Sequence, residues 1–125
     1  MVPTTFEVQA CHIINRRCRV AVVVVYRLGS EPVSSGFLDE LAALMERVSV
    51  LSSIVYVVGD FNVRFDRTDD HHAAQVRSIF DGYGFCVSTS GPTHRLGGML
   101  DIVAARTAAS VSVIDAGISD HHLIR

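Results

Sequence analysis

Lysine and tryptophan are absent from the 125 residues, cysteine and proline occur three times each, and aromatic residues make up only 7%. With no lysine, all 11 basic residues are arginines; against 13 acidic residues they leave a net charge of -2 and a pI near 6.3. That balance excludes a domain that holds nucleic acid by bulk charge alone, so any contact with phosphates must be local or act through a metal. The three cysteines, Cys11, Cys18 and Cys86, have neither a disulfide framework nor a zinc spacing, and they read as buried thiols of a reducing compartment. No apolar run approaches the roughly 20 residues of a membrane helix, so no membrane partner is expected. The start MVPTTFEVQA lacks a basic segment followed by an apolar stretch, so an intracellular location is expected. Repeats, low-complexity tracts and linkers are also missing, which leaves one domain spanning 1–125. What is abundant is apolar surface: 49% of residues, with mean hydropathy +0.33, the composition of a compact core.

Thr5 to Ile14 alternates apolar and polar residues like a half-buried strand, and Asn15-Arg16-Arg17 turns the chain. Cys18 to Tyr26 is almost continuously β-branched, the pattern of a central strand covered on both faces. Ser34 or Ser35 can cap a helix over 36–48 whose apolar face is Phe37, Leu41, Leu44, Met45 and Val48. A short covered strand, Ile54 to Val58, stops at Gly59. Asp69 or Asp70 can cap a second helix bearing Val76, Ile79, Phe80 and Tyr83, with Gly84 ending it. Extended structure resumes at Phe85, with short strands expected near 100–104 and 111–116 and a last one from His122. The order β-β-α-β-α-β-β-β with covered strands points to mixed sheets packed by helices, an α/β sandwich.

Three polar motifs stand at the edges of apolar segments: Gly59-Asp60-Phe61-Asn62, then Pro92-Thr93-His94 with Leu100-Asp101, and finally Ser119-Asp120-His121. Each alone reads most simply as a turn, a cap or a solvated loop. In this order, as VVGDFNVRFD, GPTHRLGGMLDIV and GISDHHLIR, they resemble the endonuclease/exonuclease/phosphatase superfamily, and in particular the apurinic-type endonuclease domain of non-LTR retrotransposons. The stretch VAVVVVYRLGSEP and the helix GFLDELAALMERV are similar to that subgroup as well, so the resemblance runs from about Phe6 to the end.

The resemblance implies a four-layered α/β sandwich, two mixed sheets flanked by helices, that cleaves phosphodiester or phosphomonoester bonds with Mg²⁺ or Mn²⁺. By the same resemblance, Asp60 orients or deprotonates the attacking water and Asn62 holds a phosphate oxygen. Asp120 supplies a metal-proximal carboxylate, His121 contacts the scissile phosphate, and Asp101 fixes the His121 tautomer. Tyr26 touches the phosphate, while Thr93, His94 and Arg95 lie at the substrate rim. The metal falls to Asp120 and Asp60, the partner is DNA, the setting is the nucleus if the substrate is genomic, and a reverse transcriptase belongs to the same parent polypeptide.

The chemistry asks for the same residue types. Phosphodiester hydrolysis needs a positioned water, charge stabilisation on phosphoryl oxygens and help for the leaving alkoxide. Carboxylates, an amide and an imidazole around one hard cation supply these, and oxygen donors select Mg²⁺ or Mn²⁺. The family's amino-terminal half, with an Asn and a metal-binding Glu, has no counterpart in the chain, and Glu7 is rejected as its substitute. The chain therefore reads as the carboxyl-terminal part of such a domain, expected to be weakly active and self-associating alone. A phosphatase or phospholipid phosphodiesterase of the same superfamily, or a catalytically dead remnant, are the alternatives. His71-His72 reads as a solvated first turn, whereas Arg27, Arg64 and Arg95, each beside a motif, are candidates for a nucleic-acid groove.

Overall fold

The computed structural model of the chain describes residues 2–51, 54–67, 69–88, 100–106, 113–114 and 123–124. Its two amino-terminal strands, β1 (Glu7–Ile14) and β2 (Arg19–Tyr26), form an antiparallel hairpin. Asn15 makes the turn: its side-chain oxygen accepts from the Arg17 and Cys18 amides at 2.8 Å each, and its own amide donates to the Cys18 carbonyl at 3.1 Å. From β2 the chain crosses through α1 (Ser35–Ser49) to β3 (Ile54–Asp60), which runs parallel to β2. Ser34 caps α1 through its hydroxyl, which accepts from the Phe37 amide at 3.1 Å.

Asp70 caps α2 (His71–Gly82) in the same way, accepting from the Ala73 amide at 2.9 Å. Gly84, at φ +78°, then ends that helix in the left-handed conformation and lets the Phe85 amide reach back to the Phe80 carbonyl at 2.9 Å. Among the described residues four strands follow: β4 (Cys86–Val87), β5 (Asp101–Ala105), β6 (Val113–Ile114) and β7 (Leu123–Ile124). The sequence order had three at this place, because the extended run at Phe85 forms a strand of its own. The main sheet has the order β1-β2-β3-β5-β4, with β3 in the middle, and β6 pairs with β7 in a separate two-stranded ladder.

One face of the sheet is dry. Val23 and Val25 of β2, Val55 and Val57 of β3, and Ile102 and Ala104 of β5 join the inward faces of α1 and α2 in a single buried cluster. All five apolar residues expected on the first helix are buried there. On the second, Val76 and Phe80 are buried, with Ile79 and Tyr83 packed at its margin.

The other face is open among the described residues. Ile13, Val24 and Ile54 are 59%, 44% and 52% exposed. A continuous valine run carries no alternation, so its sequence shows how apolar each face is without showing which face is covered. The cysteines also depart from expectation: all three are exposed. Cys11 and Cys86 pair in register with Val22 and Ala105 on the open face, and Cys18 closes the hairpin turn. No helix of the described residues is long and apolar enough to cross a membrane.

Candidate active site

The register of the sheet brings three of the sequence-singled residues into one row. Tyr26, the last residue of β2, is paired with Asp60, the last of β3, and Asp60 is paired with Asp101, the first of β5. Residues directly opposite each other in adjacent strands share a face, and strands lie about 4.8 Å apart. The phenol and the two carboxylates therefore leave the sheet side by side at one edge, on the open face. Tyr26 is 44% exposed and both aspartates are half-buried. Two parallel strands ending together make the sort of crevice where ligands meet α/β sheets.

Each residue of Gly59-Asp60-Phe61-Asn62 has a physical reason to be there. Gly59 has φ +141°, and a Cβ at this position would sit 1.9 Å from the Val25 carbonyl oxygen, so only glycine lets β3 close on β2 here. The Asp60 side chain accepts from the Asn62 amide at 2.9 Å, which holds the carboxylate against its own loop. Phe61 is fully buried and meets Phe65 and Phe80 edge to face at 6.2 and 5.8 Å, while its amide donates to the Leu100 carbonyl at 3.1 Å. Asn62 takes φ +50°, a conformation that asparagine tolerates better than most residues, and its side-chain amide donates to the Arg27 carbonyl at 2.6 Å. A Cβ at Gly29 would approach the Asn62 side-chain oxygen to 3.0 Å, so that glycine clears the space the amide occupies.

Arg27 turns inward. It borders the groove beside Tyr26, yet it is only 3% exposed, a buried charge within the described core. Its guanidinium donates to the carbonyls of Phe61, Glu31 and Asn62 at 2.6, 2.6 and 2.7 Å and lies 5.4 Å over the Phe37 ring. Burial pushes the guanidinium below its ordinary range, and the charges of Asp60 and Glu31 oppose that shift. The sequence does carry a signal for this arrangement: the irregular loop from Leu28 to Pro32 presents carbonyls with no ladder partner, and such groups require a donor. Arg64, the second candidate, forks onto the Asp66 carboxylate at 2.9 and 2.7 Å.

A groove of about 480 Å³ opens beside Tyr26, lined also by Phe6, Glu7, Leu28, Glu31 and Pro32. Glu7 pairs with Tyr26 and so stands at the far end of the row, two strands from Asp60. Among the described residues no group of three or more His, Cys, Asp or Glu side chains could hold a metal ion. Asp60 and Asp101 nevertheless offer neighbouring hard oxygen donors, a set that suits a cation keeping most of its waters. His71 and His72 are exposed in the first turn of α2, as expected. Thr93, His94, Arg95, Asp120 and His121 lie outside the described residues.

No curated protein matches the chain. Solved structures do: the endonuclease domain of TRAS1, a telomere-specific non-LTR retrotransposon, superposes with a TM-score of 0.76 at 17% identity, over 96% of this chain and 59% of that one. CdtB, the biologically active subunit of cytolethal distending toxin, superposes with a TM-score of 0.54 at 14% identity, over 94% of this chain and 55% of that one. The chain thus spans little more than half the length of either, and at these identities the likeness is one of fold. The sequence itself goes further, since residues 2–121 match the model of the endonuclease/exonuclease/phosphatase family, so that the Gly-Asp-Phe-Asn loop, the sheet and its row of acidic ends are those of a chain that belongs to this family.

Proposed function

We propose that the chain is part of a metal-dependent phosphodiester hydrolase, an endonuclease that nicks DNA for retrotransposition. The observation that carries this reading is the shared row of Tyr26, Asp60 and Asp101 with Asn62 locked beside it. Membership of the family supports hydrolysis at phosphorus. DNA as the substrate is supported by the fold's likeness to the TRAS1 endonuclease domain. The proposal places the protein in the nucleus and a reverse transcriptase in the same parent polypeptide.

In this reading Asp60 orients or deprotonates the attacking water, and its bond from the Asn62 amide keeps the carboxylate in one rotamer while it does so. Asn62 shares one side-chain hydrogen with the Arg27 carbonyl, and the second is the one that meets a phosphoryl oxygen. The Tyr26 hydroxyl steadies the same phosphate. Asp101 pairs with His121 and favours its imidazolium form, which binds the anionic substrate; Thr93, His94 and Arg95 line the rim. Asp60 and Asp120 would hold Mg²⁺ or Mn²⁺, which when bound supplies charge compensation on the phosphoryl oxygens. The remaining acidic ligand and an Asn come from the part of the domain that the relatives have in addition.

The test is plasmid nicking by a polypeptide extended to the length of those relatives. Supercoiled DNA is expected to relax with Mg²⁺ or Mn²⁺ and to stay intact in chelator. Uncleaved DNA with either metal, alongside cleavage of a phosphomonoester, would place the activity elsewhere in the family.

The 125-residue chain alone is expected to self-associate and to show no metal-dependent cleavage above background. Every ~100 Å² of apolar surface left in water forfeits about 2.5 kcal/mol, and the open face presents Ile13, Val24 and Ile54 together. Size-exclusion chromatography should give a species larger than the 13.6 kDa monomer, and Val24→Lys, on that face, should move it toward the monomer. A monodisperse wild-type monomer that nicks DNA would overturn the part-domain reading.

A further inference from the structure

Arg27 stands immediately after Tyr26 and holds two loops together. One is its own, residues 28–31, through the Glu31 carbonyl and a longer contact of 3.5 Å to the Leu28 carbonyl. The other is the candidate active loop, through the Phe61 and Asn62 carbonyls. The main chain reinforces the link in both directions, since the Arg27 amide donates to the Asp60 carbonyl at 2.8 Å and the Arg27 carbonyl accepts from the Asn62 side chain. A cation buried to this degree is costly unless most of its donors are paired. Here carbonyl dipoles from four residues meet a planar fork, a geometry that the three radial hydrogens of a lysine cannot reproduce.

We propose that Arg27 is a positioning residue of this active site: its guanidinium fixes the Phe61 and Asn62 carbonyls, and thereby holds the Asn62 amide and the Asp60 carboxylate in place. The significance of that role rests on the nuclease reading, which gives Asn62 a phosphate to bind; the mechanical claim does not. Asn62 sits at φ +50°, a conformation that asparagine can adopt but that an unrestrained loop would not hold uniformly, and the guanidinium bond to its carbonyl fixes it there. The hydrogen bond from its side chain reaches a main-chain carbonyl that every substitution at position 27 retains. A change at Arg27 therefore acts on Asn62 only by loosening the loop, which makes the asparagine a reporter of the guanidinium.

The chain contains two asparagines, Asn15 and Asn62, so labelling with [¹⁵N]asparagine yields two side-chain amide pairs, and Asn15 in the distant hairpin turn serves as the internal control. In the wild-type chain the two Asn62 amide protons are expected to be well separated and slow to exchange. In Arg27→Lys they should converge and exchange at least about tenfold faster, with the Asn15 pair unmoved. Arg77→Lys gives a matched comparison, because Arg77 also bonds a loop carbonyl, that of Phe65 at 3.0 Å, and covers the same residue's ring. It should leave the Asn62 pair as it is. An unchanged Asn62 pair in folded Arg27→Lys, or an equal change in Arg77→Lys, overturns the proposal.

If Arg27→Lys does not fold, the wild type decides alone: the Arg27 Nε–H, aimed at the Phe61 carbonyl at 2.6 Å, must exchange more slowly than the exposed Arg16 and Arg17 Nε–H groups, and equal exchange overturns the proposal. In the extended polypeptide, Arg27→Lys is expected to lower kcat by about tenfold or more while KM changes little, the pattern of lost alignment. An inert wild type there counts against the nuclease reading and not against the role of Arg27, since the resonances are read without substrate.

Discussion

Asp60→Ala and His121→Ala, each made in a polypeptide extended to the length of the structural relatives, are expected to slow plasmid nicking at least about a hundredfold. Asp60 stands in the middle of the cross-strand row, and its carboxylate is held by the Asn62 amide, so alanine removes a group already placed for work. Asp101→Asn is expected to cost less, because in the proposed reading Asp101 acts only through His121 and an amide would keep part of such a hydrogen bond. Single-turnover rates at saturating Mg²⁺ separate these effects from weakened DNA binding. Nicking retained in both alanine variants would show that neither motif carries the chemistry.

Gly59→Ala is expected to be the most damaging small substitution in the described chain. Its new methyl would lie 1.9 Å from the Val25 carbonyl oxygen, in the ladder that joins β2 to β3, and its φ of +141° is closed to alanine as well. Relief requires the two central strands to part, at a cost above about 3 kcal/mol, against a total stability of only about 5 to 15 kcal/mol. Gly84→Ala is the comparison: it also has positive φ, +78°, but its Cβ would meet nothing within 4 Å. Only the left-handed penalty of about 1 to 2 kcal/mol should appear there. Urea midpoints of the two variants measure the difference, and equal losses would mean that backbone conformation, not the close approach to Val25, makes Gly59 necessary.

The helices were legible in the sequence because their signals are local. Ser34 and Asp70 act as caps within three residues of the amides they satisfy, and the buried face of α1 follows the 3.6-residue period. Strand pairing is a longer-range property, and yet the motif Gly-Asp-Phe-Asn at the end of an apolar run pointed to the row that the register then assembled. What could not be read was orientation. An arginine beside a site motif has the same letter whether it faces solvent or, like Arg27, turns inward to collect carbonyls from a loop 34 residues away. The unalternating valines of β2 likewise left open which side is dry, and the cysteines followed that ambiguity onto the exposed face.

The one-to-one alignment of Tyr26, Asp60 and Asp101 depends on register more than on the side chains of the neighbouring strand positions, Gly59 excepted, and so makes the site sensitive to changes in strand length. Side chains alternate faces along a strand, so an in-frame codon lost between Ile54 and Gly59 would turn the Asp60 carboxylate toward the helices or pull it out of the row, while leaving an apolar strand that still pairs. A codon gained in the hairpin turn at Asn15 shifts only β1, and with it the partner of Tyr26 at Glu7. Insertions and deletions therefore divide the gene into stretches where the reading length matters to chemistry, the strands that set the row, and stretches such as the hairpin turn at Asn15 where it does not.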